Sequence, residues 1–361
     1  MVALRWMLAG TLCAALLAQN KTDKTDAENS SEPARIVVPV DVVVAPVTVF
    51  DRDNNFVDGL RPEQFHLFDN EKEQKIKVDV AFQPIDMVIA VQCNDHVEAV
   101  LPRVQKIGDL ISPLVIGDQG EAAVIAFDSR IRELQEFTSD TNKITDALKK
   151  IHAGSSQSRM IDAVADAVRL LRTRPKNRRR ILLLVGETRD KSSETRVREA
   201  LIDAQLANVS VYAVDMTRWF TTLTAKEPVP RPDNRPPAMT PMPTNVPPTP
   251  NNVMQTTGGQ GSSAQFVPLM VEIFKDAKSI FVDNPVEVFT KGTGGEEYGF
   301  VRQRGLEDAI ERIGAELHSQ YMISYNPNNK EEGGFHQISV EVASVKGLKA
   351  RTRPGYWLAA R

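Results

Sequence analysis

Residues 87–91, Met-Val-Ile-Ala-Val, are continuously apolar rather than alternating, the pattern of a strand buried on both faces of a parallel sheet. A polar turn follows over 92–96. Beyond it Val97, Val100, Leu101, Val104, Ile107, Ile111 and Leu114 recur at three- and four-residue spacing. That spacing predicts a helix laying one face back on the sheet. The pattern then repeats. Strands over 122–127 and 131–137 are joined by Asp128-Ser-Arg130 so tightly that they must be antiparallel. Helices are predicted over 140–151 and 160–172, a wholly apolar strand over 181–185, a helix over 193–207 and a further strand over 209–214. Connections this short belong to compact α/β domains.

The flanks have another texture. Residues 40–50 are Val-rich, with Pro39 and Pro46 marking an edge or a bend, and Phe65, Leu67, Ile76, Val78 and Val80 alternate across the turn at 69–72, which reads as a hairpin. After residue 264 the pattern predicts a helix over 266–279, a short strand over 286–289, a helix over 306–318, and alternating strands over 320–325, 337–342 and 348–352. The two β flanks are alike in kind. They predict one small β module, made by residues 35–83 and 319–361, into which an α/β domain spanning 84–318 is inserted.

Composition alters this picture at two places. Ten of the 22 prolines fall between Pro228 and Pro250, and the stretch that follows is rich in Asn, Thr, Gly and Ser. Such a segment buries too little apolar surface to fold, so a disordered insertion is predicted over 221–264. It leaves the carboxyl end of a parallel strand and so emerges on the rim that carries residues 92–96. At the N-terminus, Arg5 precedes an apolar run over 6–18 that is too short to span a bilayer, and a polar tail occupies 19–34. This reads as a signal peptide over 1–18, with the mature chain exported to a periplasmic, secreted or cell-surface location and holding no membrane span. Without Cys13, Cys93 is the single thiol, so no internal disulfide is available.

The 361 residues carry a formal net charge of -3, which excludes nucleic acid as an expected partner. The basic run Arg172, Arg174, Lys176, Arg178, Arg179, Arg180 reads as a helix C-terminal cap and a solvated loop. Gly154-Ser-Ser-Gln-Ser158 lacks a nucleophile-elbow order, and no dinucleotide or phosphate-loop spacing is present. Cys93 and His96 share one turn, but His66, His152, His318 and His336 form no matching pair for a zinc site. Cys93 therefore reads as a small packed residue and His96 as part of a helix's first turn.

The strand-turn at 86–96, Arg-Arg-Ile-Leu-Leu-Leu-Val at 179–185, Tyr212-Ala-Val-Asp215, the closing 320–325 strand and Arg353-Pro-Gly-Tyr356 resemble the von Willebrand factor type A domains, nearest the exported bacterial VWFA-related group. Val47-Thr-Val-Phe-Asp51, Val57-Asp-Gly-Leu60, Phe65 and Asp69 match that group's leading segment in style. The resemblance implies a Rossmann-like, mostly parallel sheet flanked by helices; the sequence offers no nucleophile with a placed base, so no enzymatic activity is expected. It also implies a metal-ion-dependent adhesion site built from Asp-x-Ser-x-Ser, a later Thr and a later Asp. The matching positions here read Gln92, Asn94 and His96, then Ser158, then Gly186 or Glu187. A hard cation needs carboxylates to displace its water, so the expected state is a metal-free rim that binds an unidentified protein. The alternative is weak Mg2+ or Mn2+ binding through Asp95, Glu187 and Asp190. An enzyme of unrecognised chemistry is a further alternative.

Overall fold

The first apolar run forms β5 (Ile85–Gln92), a strand buried along its whole length. In this computed structural model residues 42–79, 83–190, 192–216, 270, 284–299, 304–343 and 347–358 are described. The signal peptide over 1–18, the tail over 19–34, the insertion over 221–264 and all but Met270 of the helix predicted over 266–279 lie outside them. On one side β5 pairs in parallel with β6 (Glu121–Phe127), and on the other with β8 (Arg179–Gly186). β9 (Val209–Asp215) and the short β10 (Glu297–Gly299) extend the sheet in parallel beyond β8. β7 (Ile131–Thr138) closes the far edge antiparallel to β6, giving the order β10-β9-β8-β5-β6-β7.

Successive β5 side chains point to opposite faces. Met87, Ile89 and Val91 join a core with α3 (Thr141–Lys149) and α7 (Arg304–Ser319). Val88 and Ala90 join another with α4 (Met160–Arg172), α5 (Val197–Leu206) and α6 (Pro285–Thr293). Helices on both faces explain why β5, β8 and β9 read as unbroken apolar runs.

Two predicted elements differ. The single helix expected over 97–114 is a chain of short turns, including α1 (Leu101–Val104) and α2 (Gly108–Ile111), broken around Pro102 and Pro113. Its apolar stripe is nonetheless buried as expected, from Val97 to Ile111. The strand expected over 286–289 is helix α6 instead. Asn284 Oδ1 accepts from the Glu287 N–H at 3.1 Å, Pro285 occupies the first turn and Gly294 closes the end with φ of 84°.

The flanking strands interleave. One four-stranded sheet runs β13 (Lys349–Arg351), β1 (Val43–Phe50), β11 (Tyr321–Tyr325), β4 (Ile76–Asp79); the other runs β14 (Gly355–Leu358), β12 (Gly334–Val342), β2 (Phe65–Asp69), β3 (Lys72–Glu73). Strands from before the parallel sheet thus pair directly with strands from after it, and Val43, Val47, Leu67, Ile323 and Ile338 share one core between the two sheets. Pro46 sits in the half of β1 that pairs only with β11, since β13 joins from Thr48 onward.

The basic run is a solvated loop only in part: Arg172 and Lys176 are exposed, and four other arginines are not. Asp86, fully buried, accepts from Arg174 Nε at 2.9 Å and Arg178 Nε at 2.7 Å. Arg179 is buried and donates to the Leu317 carbonyl and Gln320 Oε1. Arg180 donates to the Ala207 carbonyl at 2.9 Å. These side chains tie the lower end of β8 to β5, α5 and α7. Their acceptors come from remote segments, which is why the run alone reads as exposed charge.

Candidate functional site

The carboxyl ends of β5, β6, β8 and β9 form one rim, as expected for an open α/β sheet. Gln92 ends β5 with its side chain fully buried. Its Oε1 accepts from the Glu187 backbone N–H at 2.7 Å, which fixes the orientation of the amide. Its Nε2 then donates to Glu187 Oε2 at 3.0 Å and to Asn94 Oδ1 at 3.1 Å. One neutral side chain therefore bridges the ends of two neighbouring strands. Gly186 permits this: a Cβ there would stand 2.6 Å from Gln92 Oε1.

The other predicted positions divide. Asn94 and Ser158 are buried, and Asn94 Nδ2 and Ser158 Oγ have no hydrogen-bond partner among the described residues. His96 and Asp95 are half exposed and face each other at 3.9 Å. Asp190 caps α4 from another loop, accepting from the Ile161 N–H at 3.2 Å and from Ser193 N–H and Oγ–H at 3.1 and 2.7 Å. The structure thus brings Gln92, Asn94, Gly186 and Glu187 together and commits Asp190 to the N-terminus of α4 on the same rim.

Two buried carboxylates on this rim escaped sequence reasoning. Asp128 follows β6 and accepts from the Arg130 N–H at 2.8 Å and the Ser155 N–H at 3.2 Å. A Cβ on Gly154 would meet Asp128 Oδ2 at 1.9 Å, so a side chain there would displace this carboxylate. Asp162 accepts from Thr195 and Glu194 N–H groups at 2.9 and 3.1 Å and from Arg159 Nε at 2.7 Å. Burial pushes the Asp162 carboxyl up, but these donors outweigh it and hold it below the usual carboxylate value. A sequence signal existed for Asp128, an acid directly after a wholly apolar strand; Asp162 lies on a helix and gave none.

Cys93 lies under the turn. Burial pushes its thiol up, against the pull of Arg132, whose Nη2 donates to Sγ at 3.1 Å. The sulfur is held as a neutral packed group. Among the described residues no three His, Cys, Asp or Glu side chains are grouped to hold a metal.

At the β9 side of the rim, Glu297 on β10 lies near Asp215 at the end of β9. Burial and the Asp215 charge push its carboxyl up to about 7, against a hydrogen bond from Asn284 Nδ2 at 3.5 Å. The folded state therefore keeps a proton that the unfolded chain releases near 4.5, and stability falls as pH rises from that value through 7. Glu297→Gln is expected to abolish this fall, leaving the variant more stable at pH 8 by about 2 kcal/mol. Urea unfolding of both proteins at pH 5, 6, 7 and 8 measures it; parallel profiles would refute it.

No family model and no curated protein matches the chain. Among solved structures it is similar to a von Willebrand factor type A protein from Catenulispora acidiphila, at 9% identity and a TM-score of 0.43, covering 88% of this chain and 74% of that one. It is also similar to the conserved hypothetical protein BatB from Bacteroides thetaiotaomicron, at 16% identity and 0.39, covering 64% and 98%. A third is the vWF domain of the type V pili tip protein Mfa5 from Porphyromonas gingivalis, at 12% identity and 0.26, covering 29% of this chain and 38% of that one. These likenesses concern fold alone, and with its parallel strands, single antiparallel edge and flanking helices the six-stranded layer is a mostly parallel, Rossmann-like α/β sheet, the fold class the sequence predicts.

Proposed function

We propose that the chain is an exported, non-catalytic protein-interaction module whose rim meets a protein partner without a divalent cation. The observation that carries this reading is how the acids of the rim are used. Asp128, Asp162 and Asp190 are each held by backbone N–H groups, which makes them scaffolding rather than general bases or free ligands. Cys93 is a buried neutral thiol, and His96 is half exposed with the exposed Asp95 at 3.9 Å. What remains for contact is a polar, exposed set of loops, including Asp95, His96, Ser156 and Gln157.

A cation does not suit the donor set. The Gln92 NH2 group faces Glu187 Oε2 and Asn94 Oδ1, the oxygens an ion would need. Asn94 Nδ2 offers only hydrogens, so an acceptor, not a cation, would complete it. Export is supported by the N-terminal sequence pattern, and no helix among the described residues is long and apolar enough to cross a membrane.

Affinity capture from the envelope fraction tests the reading, using the mature protein with Mg2+, with chelator, and with the rim variant Asp95→Arg/Gln157→Arg. The expected result is one partner retained equally with and without chelator and lost by the variant. Retention by the variant would place binding elsewhere. Calorimetric titration with Mg2+, Mn2+ and Ca2+ supplies the second arm; micromolar binding would favour the ion-dependent alternative.

A further inference from the structure

We propose that the Gln92 amide replaces a metal ion as the clasp of the rim, holding the ends of β5 and β8 in a single arrangement through its two N–H hydrogens. The proposal rests on the metal-free reading above and assigns to one side chain the work of keeping the rim in shape.

The geometry is that of an ion site with its polarity filled from within. Glu187 Oε2 and Asn94 Oδ1 are oxygens from loops that follow two different strands, 95 positions apart for Gln92 and Glu187. Two such oxygens, one of them anionic, repel unless something positive lies between them. Here that is the amide NH2, at 3.0 and 3.1 Å. The opposite end of the same amide is fixed by the Glu187 N–H at 2.7 Å, so it cannot turn over without placing its carbonyl against the carboxylate. Gly186 leaves the space the amide uses: a Cβ there would stand 2.6 Å from Gln92 Oε1. Gln92 is fully buried, so water competes poorly for these bonds.

A carboxylate in place of this amide keeps the shape and removes both hydrogens. Gln92→Glu then sets two carboxylates against each other beside Asn94 Oδ1, the situation a divalent cation relieves. In chelator its melting temperature is expected to fall by about 5 °C. Millimolar Mn2+ or Mg2+ is expected to restore most of that fall, while the wild type shifts with neither ion. A residue that only filled space would give a fall with no response to ions, and that result overturns the proposal.

The exchange Gln92→Glu/Glu187→Gln carries the test if the single variant does not fold. It returns one amide and one carboxylate to the pair with their strands swapped. Recovery of the wild-type melting temperature in chelator, without ion response, supports the clasp; no recovery overturns it. Because melting temperature is read without a partner, loss of partner capture leaves this result intact, and the two readings fail separately.

Discussion

Glu316→Ala is expected to lower the unfolding free energy by about 3–5 kcal/mol, because it breaks a buried charge pair and strips three hydroxyls of their acceptor. Glu316 is fully buried on α7. Its Oε1 accepts from Tyr212 Oη at 2.8 Å, Thr48 Oγ1 at 3.1 Å and the Arg351 guanidinium, and its Oε2 accepts from Tyr298 Oη at 2.9 Å. Those partners come from β9, β1, β13 and β10, so one carboxylate joins the parallel sheet to the outer sheet that holds β1 and β13. Without it Arg351 keeps the Glu296 carboxylate and the Phe50 ring among the described residues. Burial and the Glu316 charge already push the Tyr212 phenol far up, so it stays a neutral donor in need of that acceptor. Guanidinium-induced unfolding measures the loss, and circular dichroism reports whether the sheets separate. A change below about 1 kcal/mol would mean that Arg351 and the tyrosines find other partners.

How much of this was legible in the chain follows from what kind of interaction wrote each part. The parallel strands are visible because burial on both faces leaves an unbroken apolar run, and β5, β8 and β9 stand within a few residues of their predicted limits. The β6–β7 pair is visible because three residues cannot carry a crossover. Helix α6 was missed because Val286 and Val288 alternate like a strand over so short a span, although Asn284, Pro285 and Gly294 spell its two ends. Strands β10 and β14 hold three and four residues and are made by pairing rather than by pattern.

The rim shows the same division. The rule about strand ends points to the turn at 92–96, and the resemblance to the von Willebrand A domains singles out Gln92, Asn94, His96, Ser158, Gly186 and Glu187. What each side chain binds could not be read that way. Asp190 looks available beside Glu187 in sequence, but it spends its oxygens on α4 and Ser193. The arginines after α4 look solvated, but their acceptors are Asp86 and carbonyls remote in the chain. Charge is local information; satisfaction of charge is not.

Asp69 concentrates that point and carries the second large effect. It is fully buried at the end of β2, and both carboxylate oxygens are saturated. Oδ1 accepts from His336 Nδ1 at 2.7 Å and Asn329 Nδ2 at 3.2 Å; Oδ2 accepts from Tyr325 Oη at 2.9 Å and Tyr356 Oη at 2.8 Å. The buried Arg353 guanidinium lies 5.7 Å from the Tyr356 ring and adds positive charge nearby. Burial pushes the Asp69 carboxyl up, but bonds from His336, Asn329 and Tyr356 outweigh it and hold it below its ordinary 3.8. A depressed carboxyl stabilises the fold above that value and loses the contribution as pH falls through its folded pKa. Asp69→Ala takes the acceptor from three buried donors, His336, Tyr325 and Tyr356, while Asn329 keeps the residue 69 carbonyl and Glu332, and it is expected to cost about 3–5 kcal/mol at pH 7. Asp69→Asn keeps the shape but turns an NH2 group toward two donors, so it too destabilises, by about 2–4 kcal/mol. The discriminating measurement is the stability difference between wild type and Asp69→Asn from pH 7 down to 2. It should hold steady to about pH 4 and shrink below it, because only the wild type must protonate a saturated carboxylate. A difference that stays constant to pH 2 would assign the cost to packing alone.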